Sequence, residues 1–192
     1  MKNQQPNSGK EAMDIAQAHA VVDFWTKAGG QSWFIKDDAF DADFRERYMT
    51  LHWLAARRGL DTWADDPAGA LALVLLLDQF PRNAFRDTPH MFATDGLARL
   101  HARLAIAAGH AQKVDTALAL FFCTPFIHSE ALADQRYGIE LYRRYAPANI
   151  KFALDHCAII ERFGHFPHRN PLMGRPTTEA EARFLEEGGF AG

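Results

Sequence analysis

DDPAGALALVLLLDQFPRNAFR, residues 65–86, decides the fold. It opens with an Asp before Pro67, a capping residue joined to one whose missing N–H costs nothing at the first helical position. The run from Ala68 to Leu77 is apolar on every side, which suits a helix buried among other helices and not one lying on a surface. Pro81 is expected to end this helix and let Arg82, Asn83 and Arg86 fold back over its end. Asp78 is the anomaly. A carboxylate near the C-terminus of a buried helix is disfavoured by the macrodipole and by desolvation, so it needs a partner, and Arg82 and Arg86 are the nearest. Asp78, Arg82 and Asn83 therefore form either a structural cap and ion pair or one edge of a polar pocket.

Outward from this helix the signals stay helical. Residues 16–28, with Ala20, Val21, Phe24 and Trp25, have amphipathic spacing that stops at Gly29-Gly30. A helix over residues 38–58 carries Phe40, Phe44, Tyr48, Leu51 and Leu54. Thr88-Pro89 opens another, through Phe92, Leu97, Leu100 and Leu104 to about Ala108. Shorter helical signals cover Val114–Phe122. Thr124-Pro125 starts a helix running to Tyr145, and Pro147 one ending at Gly164. Thr178 with Glu181 three residues on forms a capping box for a last helix. No alternating strand pattern of useful length occurs, so the fold class is all-α, with stacked antiparallel helical hairpins as the economical arrangement. Residues 1–12 read as a flexible tail and 13–192 as a single domain.

A second stretch, GHFPHRNPLMGR (residues 164–175), echoes DQFPRNAFR (78–86): both set Phe-Pro shortly before Arg-Asn. Between Gly164 and Thr178 there is no acidic residue, while His165, His168, Arg169, Asn170 and Arg175 are present. Phe166, Leu172 and Met173 would anchor such a loop, and ordered loops of this length are usually functional. Arginine offers a planar fork suited to carboxylate or phosphate. The bland alternative is that Arg169 and Arg175 satisfy helix-end carbonyls or pair with Asp78 and Glu130.

PFIHSE (residues 125–130) supplies a third element. His128, Ser129 and Glu130 come just after Thr124-Pro125, where a helix start favours an anion. Adjacent residues do not make a Ser-His-acid triad, so Ser129 is a poor nucleophile, and His128 is the better proton-transfer candidate. Glu161 and His165 share a helical face, but no metal-binding motif is present and nearby arginines oppose a cation. Neither a metal nor a cofactor is expected.

The 192 residues carry a net charge of −3, which gives no global attraction to nucleic acid or anionic lipid. Neither partner is expected. Cys123 and Cys157 sit in apolar surroundings without zinc or redox spacing and read as buried thiols. The N-terminal stretch lacks the apolar core of a signal peptide, and ALALVLLL is too short to span a bilayer, so a cytoplasmic setting is expected.

Together VVDFW, AFDADFRERY, LALVLLLDQFPRNAFRDTPHMFATD, PFIHSE, His156 and RFGHFPHRNPLMGRPTTEAEARFL resemble the bacterial proteins grouped as domain of unknown function 924. That resemblance covers Val21 to Phe190. It implies a tetratricopeptide-like α-α superhelix and no activity. Its motifs fall on Asp78, Gln79, Pro81, Arg82, Asn83, Asp95, His128, Ser129, Glu130, His156, Pro167, His168, Arg169, Asn170, Gly174 and Arg175. His165 stands where the family pattern commonly has arginine, and PLMGR varies a more usual Ile-Leu-Gly-Arg.

The expected site is a polar pocket in which Arg82, Arg169 and Arg175 hold a small anion, carboxylate or phosphate, and Asn83 and Asn170 orient it. His128 or His168 would move a proton with Glu130 or Asp78 as partner, and Gln79, Ser129, His156 and His165 would line the site. The competing expectation is a peptide-binding module that grasps a backbone or terminal carboxylate without catalysis.

Overall fold

The structure, a computed structural model, describes residues 8–30 and 33–191, and every regular element among them is helical. Helix α1 (Ser8–Ala28) begins inside the stretch read as a tail, whose residues 1–7 lie outside those described. Helix α2 (Asp38–Ala56) is capped by the Asp37 carboxylate, which accepts from the Ala39 and Phe40 N–H groups. Asp66 caps α3 (Pro67–Val74) in the same way through Ala68 and Gly69. As the all-round apolar pattern requires, residues Ala70 to Leu77 are at most 1% exposed, with α1 and α5 packed on α3.

Pro81 does not end this helix. The chain passes from α3 through a π turn (Leu75–Gln79) into α4 (Phe80–Ala84), with Pro81 in its first turn. A proline there strands carbonyls on the turn below, and side chains from elsewhere take them. The Leu76 carbonyl accepts from His52 Nδ1 at 2.9 Å, and the Leu77 carbonyl from Thr94 Oγ1 at 2.6 Å. Such donors are distant in sequence, so nothing local announces them.

Three other expected helices are interrupted. Pro89 opens only a 3₁₀ turn (Pro89–Phe92), and α5 (Asp95–Ala107) starts after Thr94. Its inward face is Ala98, His101, Ala102 and Ala105, while Leu100 and Leu104 point to solvent, because alanines let α5 lie close against α3. Within the expected Val114–Phe122 helix, the Asp115 carboxylate accepts from the Ala117 N–H and holds a turn, leaving only a 3₁₀ segment at Ala119–Phe122. The third interruption falls between α6 (Thr124–Ile127) and α7 (Leu132–Tyr145). There Gln135 Nε2 donates to the carbonyls of Ile127 and Ser129, at 2.7 and 2.6 Å, so the open backbone is satisfied. Helix α8 (Ile150–Phe163) folds back on α7 across a turn at Pro147–Asn149 and ends at Gly164, whose φ is +75°. Helix α9 (Asn170–Met173) is a single turn, and α10 (Glu179–Glu186) begins with the capping box that Thr178 and Glu181 predict.

Gly69 fixes how closely α3 passes the turn at Asp61–Asp65. A Cβ there would lie 2.3 Å from the Trp63 carbonyl oxygen, and backbone cannot swing aside as a side chain can. Gly69→Ala is expected to cost roughly 3 kcal/mol, the upper part of the range for overpacking, read as a lower denaturation midpoint. A loss below about 1 kcal/mol would show that the turn yields freely. Among the described residues no helix is long and apolar enough to cross a membrane.

Candidate functional site

The two echoing stretches converge on Asp95. From the first, Arg82 grips its carboxylate with both terminal nitrogens, at 2.9 and 3.1 Å. From the second, Arg169 Nη1 stands 3.7 Å from Asp95 Oδ2. Arg82 also donates to the Asp78 carbonyl at 2.7 Å and lies 3.3 Å from the Asp78 carboxylate. Four residues apart on the helix, Asp78 and Arg82 share one face, and Thr124 and His128 of the α6 segment meet Asp78 there.

Asp78 is fully buried, yet its carboxylate is surrounded by donors: His128 Nδ1 at 2.8 Å, Thr124 Oγ1 at 3.0 Å and Gln79 Nε2 at 2.5 Å. Burial works against its charge, and His128 and Arg82 outweigh that, holding the carboxyl well below the usual range. His128 itself is lowered, because burial and the Arg82 charge exceed the pull of Asp78. We assign it as neutral, its Nδ1–H donated to Asp78 and its Nε2 carrying the lone pair. A buried acid that orients an imidazole is an arrangement competent for proton transfer.

A second wall comes from the loop after α8. Glu130 accepts both terminal nitrogens of Arg175, at 2.7 and 2.9 Å, and the Phe166 N–H at 2.9 Å. Burial would raise the Glu130 carboxyl, but these donors hold it below its ordinary value. Asn170, fully buried, takes the Arg175 N–H on its backbone carbonyl and so closes the loop. Between the walls lies Arg169, 7% exposed, with its guanidinium 4.5 Å over the Phe92 ring and 4.6 Å over Phe166. Among the described residues no hydrogen bond satisfies its side chain, and its Nε is buried without a partner. Burial, then Arg82, push its pKa down to about 10, whereas at Arg82 burial works in the same sense but is outweighed by Asp95 and Asp78, which together raise it. Two neutral histidines complete the surroundings. His156 donates Nδ1–H to the Phe152 carbonyl at 2.8 Å and is pushed to about 4, chiefly by burial. His168, with Nδ1 buried and unpartnered, is pushed to about 3 by burial and Arg169.

Not every expected residue enters this cluster. Asn83 donates to Asp41 of α2 at 2.7 Å, and Arg86 forks onto the same carboxylate, so neither reaches Asp78. His165 faces Glu181, 2.5 Å away, and ties the loop to the start of α10. The Ser129 hydroxyl is spent on Asp134 at 2.8 Å and does not meet His128. Nor do His128, Ser129 and Glu130 lie in the first turns of one continuous helix: His128 is the C-terminal cap of the one-turn α6, and Ser129 and Glu130 form the link to Ala131, the N-cap of α7. Asp95 enters the expected residues only as a motif position, and Phe92, Thr124 and Phe190 enter only as helix or boundary positions, since their relevance to the site is purely spatial. Among the described residues no three His, Cys, Asp or Glu side chains gather as metal ligands. Both cysteines are buried, and burial pushes the Cys123 thiol up to about 12, so neither is an activated nucleophile.

The profile of a family described as "bacterial protein of unknown function (DUF924)" matches residues 21–189. A solved structure, that of a protein of unknown function, ATU0120, from Agrobacterium tumefaciens, is similar with a TM-score of 0.88 and 49% identity, over 91% of this chain and 99% of that one. No curated protein matches.

Proposed function

The chain belongs to the DUF924 family of bacterial proteins, and from that premise we propose that it binds a small carboxylate- or phosphate-bearing molecule at Arg169. One observation carries this reading: a guanidinium, buried to more than nine-tenths, that makes no hydrogen bond among the described residues. Burying a charge without such partners is costly, and cores usually pair it or replace it. Arg82 and Arg175 illustrate the ordinary solution, since each forks onto a carboxylate. Arg169 shares Asp95 only at 3.7 Å and keeps its fork free for an oxyanion. In this reading the Asp78–His128 pair beside it is the proton acceptor, through His128 Nε2, and the protein works in the reducing cytoplasm, where its buried thiols stay unoxidised.

Thermal unfolding with acetate and with inorganic phosphate tests the reading. Wild type is expected to be stabilised by one of them, by about 2.7 kcal/mol at a hundredfold excess over its Kd. Arg169→Met should abolish that effect yet, without ligand, stay within about 1 kcal/mol of wild type, because it removes a poorly compensated charge at similar volume. Stabilisation that survives in Arg169→Met, or a wild type indifferent to both anions, would overturn the assignment.

A further inference from the structure

We propose that the molecule bound here is an aromatic monocarboxylate, and that Phe190 occupies the place of its ring as a plug supplied by the protein; this rests on the Arg169 site proposed above. The sequence EEGGF (residues 186–190) aims Phe190 at that site. Helix α10 closes with the Gly188 N–H on the Leu185 carbonyl at 3.2 Å and the Gly189 N–H on the Phe184 carbonyl at 2.9 Å. Gly188 has the left-handed φ of +85° that this closure needs. A Cβ on Gly189 would sit 2.5 Å from the Phe184 oxygen, so only glycine lets the chain turn so tightly toward the loop.

The turn delivers the Phe190 ring onto the polar cluster. Its centroid lies 4.5 Å from the His156 ring, 5.1 Å from His168 and 6.4 Å from Phe166. Phe166 in turn carries the Arg169 guanidinium on its face. Two uncharged imidazoles and a phenyl ring thus form an aromatic slot at the edge of the Arg169 site, and a residue still 39% exposed fills it. A ring so open to water belongs to neither hydrophobic core and gains less from burial than a core phenylalanine does. Outside it, Phe190 borders a groove of about 390 Å³ lined also by Phe152, His156, Ile159, Phe163 and Phe184, through which an incoming ring could approach.

Charge selects the head group. Three arginines (Arg82, Arg169, Arg175) face three carboxylates (Asp78, Asp95, Glu130), which leaves the cluster neutral. A monoanion adds one negative charge beside Asp95 and Glu130, and a dianion adds two. The planar carboxylate also matches one guanidinium fork. An aryl group in the Phe190 slot, joined to a carboxylate at Arg169, uses both features together.

Calorimetric binding of acetate, benzoate, phenylacetate and 3-phenylpropionate to wild type, Phe190→Ala and Arg169→Met tests this. The best aryl carboxylate should bind Phe190→Ala at least tenfold more tightly than wild type, acetate should bind both alike, and Arg169→Met should bind none. If acetate binds through Arg169 but no aryl carboxylate gains from Phe190→Ala, the aromatic slot is refuted and the anion site stands. If no carboxylate binds either protein, the aryl-carboxylate proposal falls, and the Arg169 site falls with it when inorganic phosphate fails to bind as well. Equal denaturation midpoints for wild type and Phe190→Ala would exclude a change in folding as the cause of any gain.

Discussion

Arg82→Met is expected to lower the free energy of unfolding by about 3–5 kcal/mol, the cost of stripping the cation from a buried ion pair. The effect is large because Arg82 serves two carboxylates. Asp95 would lose both short hydrogen bonds and keep only the more distant Arg169. Asp78, with no exposed surface, would lose the arginine beside it, and its backbone carbonyl would lose the 2.7 Å donor that Arg82 Nη1 supplies. Adding Asp95→Leu should return part of the loss, since one stranded carboxylate then goes with its partner. Denaturant titration of the three proteins would measure this. A loss below about 1 kcal/mol for Arg82→Met would mean that the two acids do not depend on a cation.

Acid should destabilise the protein well before its carboxylates titrate. His156 and His168 titrate at about 4 and about 3 in the folded chain, against about 6.5 in an unfolded one. Between those values the unfolded chain binds protons that the folded chain refuses. The stability they contribute is therefore complete above about pH 6.5 and drains as pH falls, at up to about 1.4 kcal/mol per pH unit for each histidine. The pair should cost roughly 5 kcal/mol between pH 6 and pH 4. His52, His101 and His128, all lowered chiefly by burial, add in the same direction. Asp78 and Glu130 are held low by their donors, so they contribute only below the ordinary carboxylate range, near pH 4. Urea midpoints measured from pH 7 to pH 4 should thus begin to fall near pH 6, and His156→Gln with His168→Gln should flatten much of that slope. A wild-type midpoint that stays constant down to pH 4.5 would show that these histidines accept protons without cost.

How much of the fold and the site is written locally differs from residue to residue. The Asp66-Pro67 start, the buried stretch from Ala70 to Leu77, the Gly164 stop and the Thr178–Glu181 box come from spacing and capping chemistry, and the structure has each of them. Local reasoning fails where a distant group supplies a hydrogen bond. Pro81 continues the helix because His52 and Thr94 take the orphaned carbonyls, and residues 128–131 open because Gln135 satisfies the carbonyls of Ile127 and Ser129. Leu100 and Leu104 mislead because alanine, and not leucine, faces the closely packed α3.

Residue order alone dictates an all-helical chain, its buried central helix, and the two Phe-Pro stretches that gather arginines and a need for partners. Those properties depend on neighbours within a turn or two, where capping, proline geometry and hydrophobic period act. Which carboxylate each arginine meets is settled only in three dimensions. Asp95 draws Arg82 and Arg169 together, Asp41 removes Asn83 and Arg86 to the side of α2, and Glu130 takes Arg175. Ion pairing acts through space between side chains as many as 74 positions apart, Asp95 to Arg169, and it leaves no period in the sequence.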